Sequence, residues 1–175
     1  MTFEEKLWFL REFAQKNRVP ILTQKKAQWL ETFIRQENPQ SILEIGCAIG
    51  YSTSILGHQG ANVVAVDMSE PALQHAKEFT SYFDQSITFV HSEGLEYMQS
   101  CTQKFDCIFI DFQKSYYEQA AELVKNHLHE EGSVLFDNVT HSKIPHFVSH
   151  MMNNKNWECT HIDIDDGFLL CKLKS

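Results

Sequence analysis

The stretch Ser41-Ile42-Leu43-Glu44-Ile45-Gly46-Cys47-Ala48-Ile49-Gly50-Tyr51-Ser52 decides the fold of this chain. An apolar run leads into two glycines four residues apart, and a helix start follows. This pattern is typical of a buried parallel strand that turns into a helix beside a ligand. A dinucleotide fingerprint requires glycine where Ala48 and Tyr51 stand, and a P-loop requires a terminal Gly-Lys-Ser/Thr. The stretch therefore predicts a ligand-binding turn for a different ligand.

Strand patterns alternate with helical patterns along the rest of the chain. Strands are predicted at 42–45, 62–66, 87–90, 105–110, 133–136, 157–163 and 167–173. Helices are predicted from Ser69 and over 115–129 and 142–153. Such alternation indicates a parallel sheet with helices on both faces. The Asp165-Asp166-Gly167 turn predicts a hairpin. We therefore expect an α/β fold, a Rossmann-like, doubly wound, mostly parallel seven-stranded sheet with an antiparallel last strand.

Two helices are predicted ahead of the sheet. Thr2 with Glu5 resembles a capping box, as does Ser115 with Glu118 further along. The second helix is expected from Thr23 to Gln36. Residues 1–35 hold seven Lys or Arg against four Glu, which predicts a solvated basic helix surface. The 175 residues fit one domain, 1–175, with a helical N-terminal appendage at 1–40 and a ligand-binding core at 41–175.

Composition excludes several classes of protein. No apolar run approaches the roughly 20 residues of a membrane span, and no signal-peptide pattern opens the chain. We therefore expect a cytoplasmic protein with no membrane partner. The net charge of -8 argues against non-specific nucleic-acid binding. Five cysteines without a CxxC pair are expected to be reduced, buried thiols.

Four acidic side chains stand at or just after predicted strand ends: Glu44, Asp67, Asp111 and Asp137. Ligands bind outside these ends in open α/β sheets, so the pattern predicts an active site. Asp67 follows the glycine turn by about 20 residues, the position of an acid that holds ribose hydroxyls. Asp111, Asp137 and Asn138 offer oxygen ligands suited to Mg²⁺. On its own, Asp-Asn after a strand is usually a turn or a helix cap, so the metal interpretation depends on both strand ends together.

These motifs together resemble a known family. Leu43-Glu44-Ile45-Gly46, Val64-Ala65-Val66-Asp67, Phe105 to Asp111 with Lys114, and Asp137-Asn138-Val139 are similar to class I S-adenosylmethionine-dependent methyltransferases, specifically the catechol O-methyltransferase-like family. The similarity runs from about Pro20 to Lys172. The pairing of Asp-x-x-Lys with Asp-Asn is the most specific part of it.

The resemblance implies S-adenosyl-L-methionine and a divalent cation, Mg²⁺ above all, as cofactors. It implies a divalent ion at Asp111, Asp137 and Asn138, and Lys114 as the base for the acceptor hydroxyl. From the residues alone, a solvated first-turn lysine would be the better interpretation of Lys114. The implied cofactor-binding residues are Glu44, Gly46, Ala48, Gly50, Ser52, Asp67, Met68, Glu93, Gly94 and Asp111.

The expected function is metal-dependent O-methylation of a hydroxyl beside a second oxygen. A catechol or phenolic small molecule meets that demand, and 5-hydroxyuridine in tRNA is the alternative acceptor. A non-catalytic S-adenosylmethionine-binding module is the alternative of another class. The resemblance also implies a homodimer.

Overall fold

Seven strands form one mixed sheet in this computed structural model, which describes residues 1–174. The strand order is β3-β2-β1-β4-β5-β7-β6. The first five strands pair in parallel, and β7 runs antiparallel to β5 and β6, which confirms the predicted sheet. The last residue of the predicted domain, Ser175, lies outside the described residues. The strands are β1 (Ser41–Ile45), β2 (Asn62–Asp67), β3 (Ile87–His91), β4 (Phe105–Ile110), β5 (Leu128–Asp137), β6 (Trp157–Ile162) and β7 (Phe168–Leu173).

Seven α-helices and one short 3₁₀ turn accompany the sheet within residues 1–174. None of these helices is long and apolar enough to cross a membrane. The capping box of Thr2 and Glu5 is present in both directions, with Glu5 Oε2 2.7 Å from the Thr2 amide. The helices are α1 (Phe3–Asn17), α2 (Gln24–Glu37), α3 (Tyr51–Leu56), α4 (Glu70–Thr80), α5 (Gly94–Ser100), α6 (Tyr117–Val124) and α7 (Phe147–Met152), with the 3₁₀ turn at Lys114–Tyr116.

The helices cover both faces of the sheet. On one face, Leu10 of α1 and Leu30 and Ile34 of α2 share a buried cluster with Phe109 of β4 and Phe168 of β7. The other face packs against α6 and α7. The N-terminal helices are thus part of the same core as the sheet, and this packing fixes the first turn of α2 near the ends of β5 and β7.

The helices flanking β5 are shorter than predicted. The expected helix 115–129 ends at Val124, because His127 is buried with its ring nitrogens 2.7 Å from Met98 O and 3.2 Å from Gln103 O, and β5 begins at Leu128. The expected helix 142–153 covers only Phe147–Met152, since Pro145 disfavours helical backbone at the residue before it.

The capping box predicted at Ser115 and Glu118 is wrong. Ser115 lies inside the 3₁₀ turn, and its hydroxyl accepts a hydrogen bond from Gln113 Nε2 at 3.0 Å. No side chain caps α6. The 3₁₀ turn instead places Lys114 directly after the end of β4.

The expectation of reduced thiols is wrong for two of the five cysteines. Cys159 and Cys171 stand opposite each other in the antiparallel pair of β6 and β7 and form a disulfide. Cys47, Cys101 and Cys107 are free. The disulfide joins the two strands at the far edge of the sheet from β3.

Candidate active site

A cavity of about 540 Å³ opens at the carboxyl ends of β1, β2, β4 and β5. This volume is typical of small-molecule sites. It lies where the sheet order reverses between β1 and β4, the usual ligand position in open α/β sheets. Most of the predicted site residues line it: Gly46, Ala48, Asp67, Met68, Glu93, Gly94, Asp111, Lys114, Asp137 and Asn138.

The glycine turn lets the ends of β1 and β4 approach closely. Gly46 has a φ of +94°, and a Cβ there would overlap the backbone oxygen of Asp111. Its amide donates to Val66 O at 2.8 Å. Only glycine fits both the conformation and the space. Gly50, which also has a positive φ, packs against α4 and does not line the cavity.

The carboxylate of Asp67 is held by two backbone amides. Its Oδ2 accepts from the Ala48 amide and its Oδ1 from the Ser69 amide, both at 2.8 Å. The first bond secures Ala48, whose φ of +44° is uncommon for a residue with a Cβ. Each oxygen keeps a lone pair for a further donor, so Asp67 can bind a diol at the cavity wall.

Glu44 is placed away from the cavity. Its carboxyl group is fully buried and accepts from the hydroxyls of Ser52 and Thr53, the latter at 2.5 Å. Burial raises the pKa of Glu44 to about 8, although both hydroxyl contacts lower it. The geometry gives Glu44 the role of tying β1 to α3. Ser52 lines a narrow crevice beside the main cavity.

The turn at 92–94, which holds the implied cofactor-binding residues Glu93 and Gly94, forms another wall of the cavity. Glu93 caps α5, because its Oε2 accepts from the amides of Leu95 and Glu96 at 2.9 and 3.1 Å. A Cβ on Gly94 would lie 2.5 Å from Ile45 Cγ2, so the turn sits directly against β1. Met68 stands at the rim and is 70% exposed.

Lys114 and Asp111 form an ion pair at the end of β4. The Lys114 ammonium lies 2.7 Å from Asp111 Oδ1, 3.2 Å from Phe112 O and 2.8 Å from the Tyr117 hydroxyl. Tyr117 in turn lies 2.8 Å from Asp137 O. Burial raises the pKa of the Tyr117 hydroxyl well above its ordinary value, so this group keeps its proton. Tyr117 therefore fixes Lys114 relative to the ends of β4 and β5.

The carboxylate of Asp137 is paired with Lys26, which the sequence had placed on a solvated basic surface. That expectation is wrong for Lys26, whose side chain is only 1% exposed. Its ammonium contacts Asp137 Oδ1, Asp166 Oδ1 and, at 3.2 Å, Gly167 O. Burial and Asp111 raise the pKa of Asp137 to about 7, while Lys26 acts in the opposite direction.

Asn138 follows with a left-handed backbone, φ +52°, and its side chain is also engaged. Its Nδ2 donates to Asp166 Oδ2 at 2.6 Å. The two predicted carboxylate ligands, Asp111 and Asp137, are thus each paired with a lysine. The predicted amide ligand, Asn138, is hydrogen-bonded to Asp166. Among residues 1–174, no group of three or more His, Cys, Asp or Glu side chains could hold a metal ion. The side chains as arranged do not fit the expected divalent ion, because an ammonium group already sits on Asp137.

Sequence reasoning missed the contributions of Lys26 and Asp166. Asp166 was interpreted as a hairpin turn residue, and its partner Lys26 lies 140 positions earlier in the chain. The helical pattern of α2 contains one signal that Lys26 is buried. Lys26 precedes Ala27 and Leu30, on the face that the pattern assigns to the core.

Comparisons with known proteins agree with this architecture. The profile of the O-methyltransferase family matches residues 3–174. The O-methyltransferase hkm8 of Aspergillus hancockii is 31% identical over 149 residues, which are 79% of this chain and 58% of that protein. The catechol O-methyltransferase of Bos taurus is 26% identical over 151 residues, 79% of this chain and 55% of that protein. The chain thus spans little more than half the length of these relatives.

A solved structure is similar over almost the whole chain. It is that of a candidate caffeoyl-CoA O-methyltransferase from Staphylococcus aureus, with a TM-score of 0.87 and 26% sequence identity. The alignment covers 96% of this chain and 92% of that one. The similarity therefore includes the N-terminal helices as well as the sheet.

Proposed function

The chain belongs to the O-methyltransferase family, and on that premise we propose that it transfers a methyl group from S-adenosylmethionine to a hydroxyl of a small aromatic acceptor. One observation carries the proposal. A single cavity brings the glycine turn and Asp67 together with the Asp111–Lys114 pair. A binding module would need only the first of these two groups.

The donor half of the site comprises the cavity residues at the ends of β1, β2 and β3: Gly46, Ala48, Asp67, Met68, Glu93 and Gly94. S-adenosylmethionine supplies a methyl group on a sulfonium, which leaves readily as a neutral thioether. Asp67 would accept hydrogen bonds from the ribose hydroxyls, since its carboxylate is already oriented by two amides. Gly46 lets the end of β1 lie directly against Asp111, so that both residues line the same cavity.

The acceptor half comprises Asp111, Lys114, Asp137 and Asn138, with Lys26 beneath them. Lys114, once it has released its own proton to solvent, would take the proton of the acceptor hydroxyl while the oxygen bonds to the methyl carbon. The carbon–sulfur bond breaks and its electron pair stays on sulfur. Asp111 and Tyr117 would hold the resulting ammonium, since both already contact Lys114 Nζ. General-base catalysis of this kind contributes about 10²–10⁴-fold.

The divalent ion at Asp111, Asp137 and Asn138 remains a prediction from the sequence. Two carboxylates and an amide are suitable ligands in kind. Asp111 is paired with Lys114 and Asp137 with Lys26, while the Asn138 side-chain amide donates to Asp166. We therefore assign no step of the proposed reaction to an ion.

Two features support a phenolic small molecule as the acceptor. Ile21, Leu22, Phe112 and Tyr116 give the cavity apolar walls, and the last two rings lie 6.1 Å apart. The lining also holds five carboxylates against two ammonium groups, a balance that repels a phosphate backbone. This charge favours a phenol over 5-hydroxyuridine in tRNA. The homodimer and the cytoplasmic location stay predictions.

Methyl transfer from radiolabelled S-adenosylmethionine tests the proposal. Catechol, a single-hydroxyl phenol and hydroxyuridine-containing tRNA would be offered in parallel, with cofactor affinity measured by calorimetry. Label in a phenol supports the proposal. Label in tRNA alone would instead identify 5-hydroxyuridine in tRNA as the acceptor. Cofactor binding without turnover on any acceptor would point to a binding module.

A further inference from the structure

We propose that the ammonium group of Lys26 permanently takes the place of the divalent cation in the acceptor half, so that methyl transfer needs no metal ion. The inference rests on the proposed function and revises the cofactor that the sequence implied. In this proposal, the positive charge beside the carboxylates at the ends of β4 and β5 comes from Lys26 of α2.

The contacts of Lys26 are complete. An ammonium group has three protons, and three acceptors surround it: Asp137 Oδ1, Asp166 Oδ1 and, at 3.2 Å, Gly167 O. Its Nζ also lies 4.3 Å from the centroid of the Phe168 ring. A group with every proton satisfied and 1% side-chain exposure is a structural part of the site and not a surface lysine.

The position of Lys26 is fixed by its helix. Thr23 caps α2 through the Lys26 amide at 3.3 Å, and the Thr23 hydroxyl contacts Asp165 in the β6–β7 turn. Ala27 and Leu30 hold the same helix in the core. Turning Lys26 outward would leave Asp137, a carboxylate only 1% exposed, without its partner. The chain therefore has no ready route to vacate this position for an ion.

The ion pairs of the acceptor half support the same conclusion. Lys114 is paired with Asp111, and Lys26 is shared by Asp137 and Asp166. A divalent ion on Asp137 would face the Lys26 ammonium across the same carboxylate group, and like charges repel at such range. Because no ion then needs chelating, a single acceptor hydroxyl is sufficient. Lys26 acts through Asp137 and its neighbours, as a positioning residue.

Manganese binding, followed by the loss of the free-ion signal in electron paramagnetic resonance, tests the inference without relying on activity. The wild type and the matched control Lys25→Met, at an exposed neighbouring position, are expected to leave Mn²⁺ free. Lys26→Met is expected to bind Mn²⁺ at least about tenfold more tightly, since it frees Asp137 as a ligand. Circular dichroism would show whether each variant is folded.

Lys26→Met leaves the carboxylates of Asp137 and Asp166 without their cationic partner, so a second variant secures the test. Lys26→Met combined with Asp166→Asn removes one of those charges and retains Asp111, Asp137 and Asn138. A folded double variant that binds Mn²⁺ supports the inference. A folded double variant that leaves Mn²⁺ free overturns it, because these residues would then not be a cation position at all.

Chelator-treated wild type gives the second readout. Its rate of methyl transfer is expected to stay within about twofold of the untreated rate, whereas a Mg²⁺-requiring enzyme loses the ion's contribution to lowering the hydroxyl pKa. Loss of activity in chelator with recovery in Mg²⁺, or tight Mn²⁺ binding by the wild type, overturns the inference. Absence of turnover under all conditions contradicts the proposed function alone, since the manganese experiment still decides the role of Lys26.

Discussion

The donor and acceptor halves of the cavity are built by different means. In the donor half, carboxylates are held by backbone amides: Asp67 by the amides of Ala48 and Ser69, which lie 19 and 2 positions from it. In the acceptor half, Asp137 is held by Lys26 from a distant helix. Local backbone geometry thus shapes one half, while long-range charge pairing shapes the other. Substitutions should accordingly disturb conformation in the first and charge balance in the second.

The largest effect is expected from Lys114→Met in the acceptor half. Loss of the proposed base should lower kcat by about 10²–10⁴-fold with little change in cofactor affinity. Steady-state kinetics and calorimetry with S-adenosylmethionine measure the two quantities. Lys104→Met, at an exposed lysine, is the control. Full activity of Lys114→Met would remove Lys114 from the mechanism.

Gly46→Ala should produce the next largest effect, on folding. A methyl group there overlaps the Asp111 backbone at a φ of +94°, and the free energy of unfolding should fall by about 2–5 kcal/mol. Gly60→Ala is a matched control, because its φ is +91° but nothing lies within 4 Å of its Cβ position. Its expected cost is about 1 kcal/mol. If urea denaturation gave both variants the same loss in the free energy of unfolding, the backbone conformation alone would explain the cost, and the close approach of Gly46 to β4 would not contribute.

Asp67→Asn should weaken S-adenosylmethionine binding by about ten- to a hundredfold. The loss follows from replacing a charged acceptor by a neutral one, since hydrogen bonds to charged groups contribute about 1.5–3 kcal/mol. Isothermal titration measures the affinity. Asp84→Asn, at an exposed position, is the control. An unchanged affinity for Asp67→Asn would argue that the ribose lies elsewhere in the cavity.

A change that is small per pH unit is expected in the pH dependence of stability set by Glu44. Its pKa is raised by burial from 4.5 to about 8 in the folded chain, so the folded state binds the proton more tightly than the unfolded state. This contribution is fully present below pH 4.5 and is lost as the pH rises through about 8. The slope is at most about 1.4 kcal/mol per pH unit.

Urea denaturation at pH values between 5 and 8 would compare the wild type with Glu44→Gln. The variant should lose less stability with rising pH, since glutamine does not titrate. Parallel curves for the two proteins would contradict the assignment of the slope to Glu44.

The two halves also differ in how far the sequence predicts them. The sheet, its antiparallel β7 and the cavity position of Asp67 follow from patterns within a few residues of each other. The ion pair between Asp137 and Lys26 could not be predicted in this way, because Lys26 lies on a helix that reaches the site only through tertiary packing. The end of α6 was misjudged for a similar reason, since His127 is buried against the Met98 and Gln103 carbonyls. The start of α7 was misjudged for a local reason, because Pro145 acts against the helical pattern.

A crystal structure grown with S-adenosylhomocysteine, catechol and Mn²⁺ tests the central claim most directly, with anomalous scattering used to locate manganese. We expect the ribose at Asp67, a catechol hydroxyl at Lys114, and the Lys26 ammonium still on Asp137 with no manganese peak beside it. A manganese peak bounded by Asp111, Asp137 and Asn138, with Lys26 turned away, would contradict it.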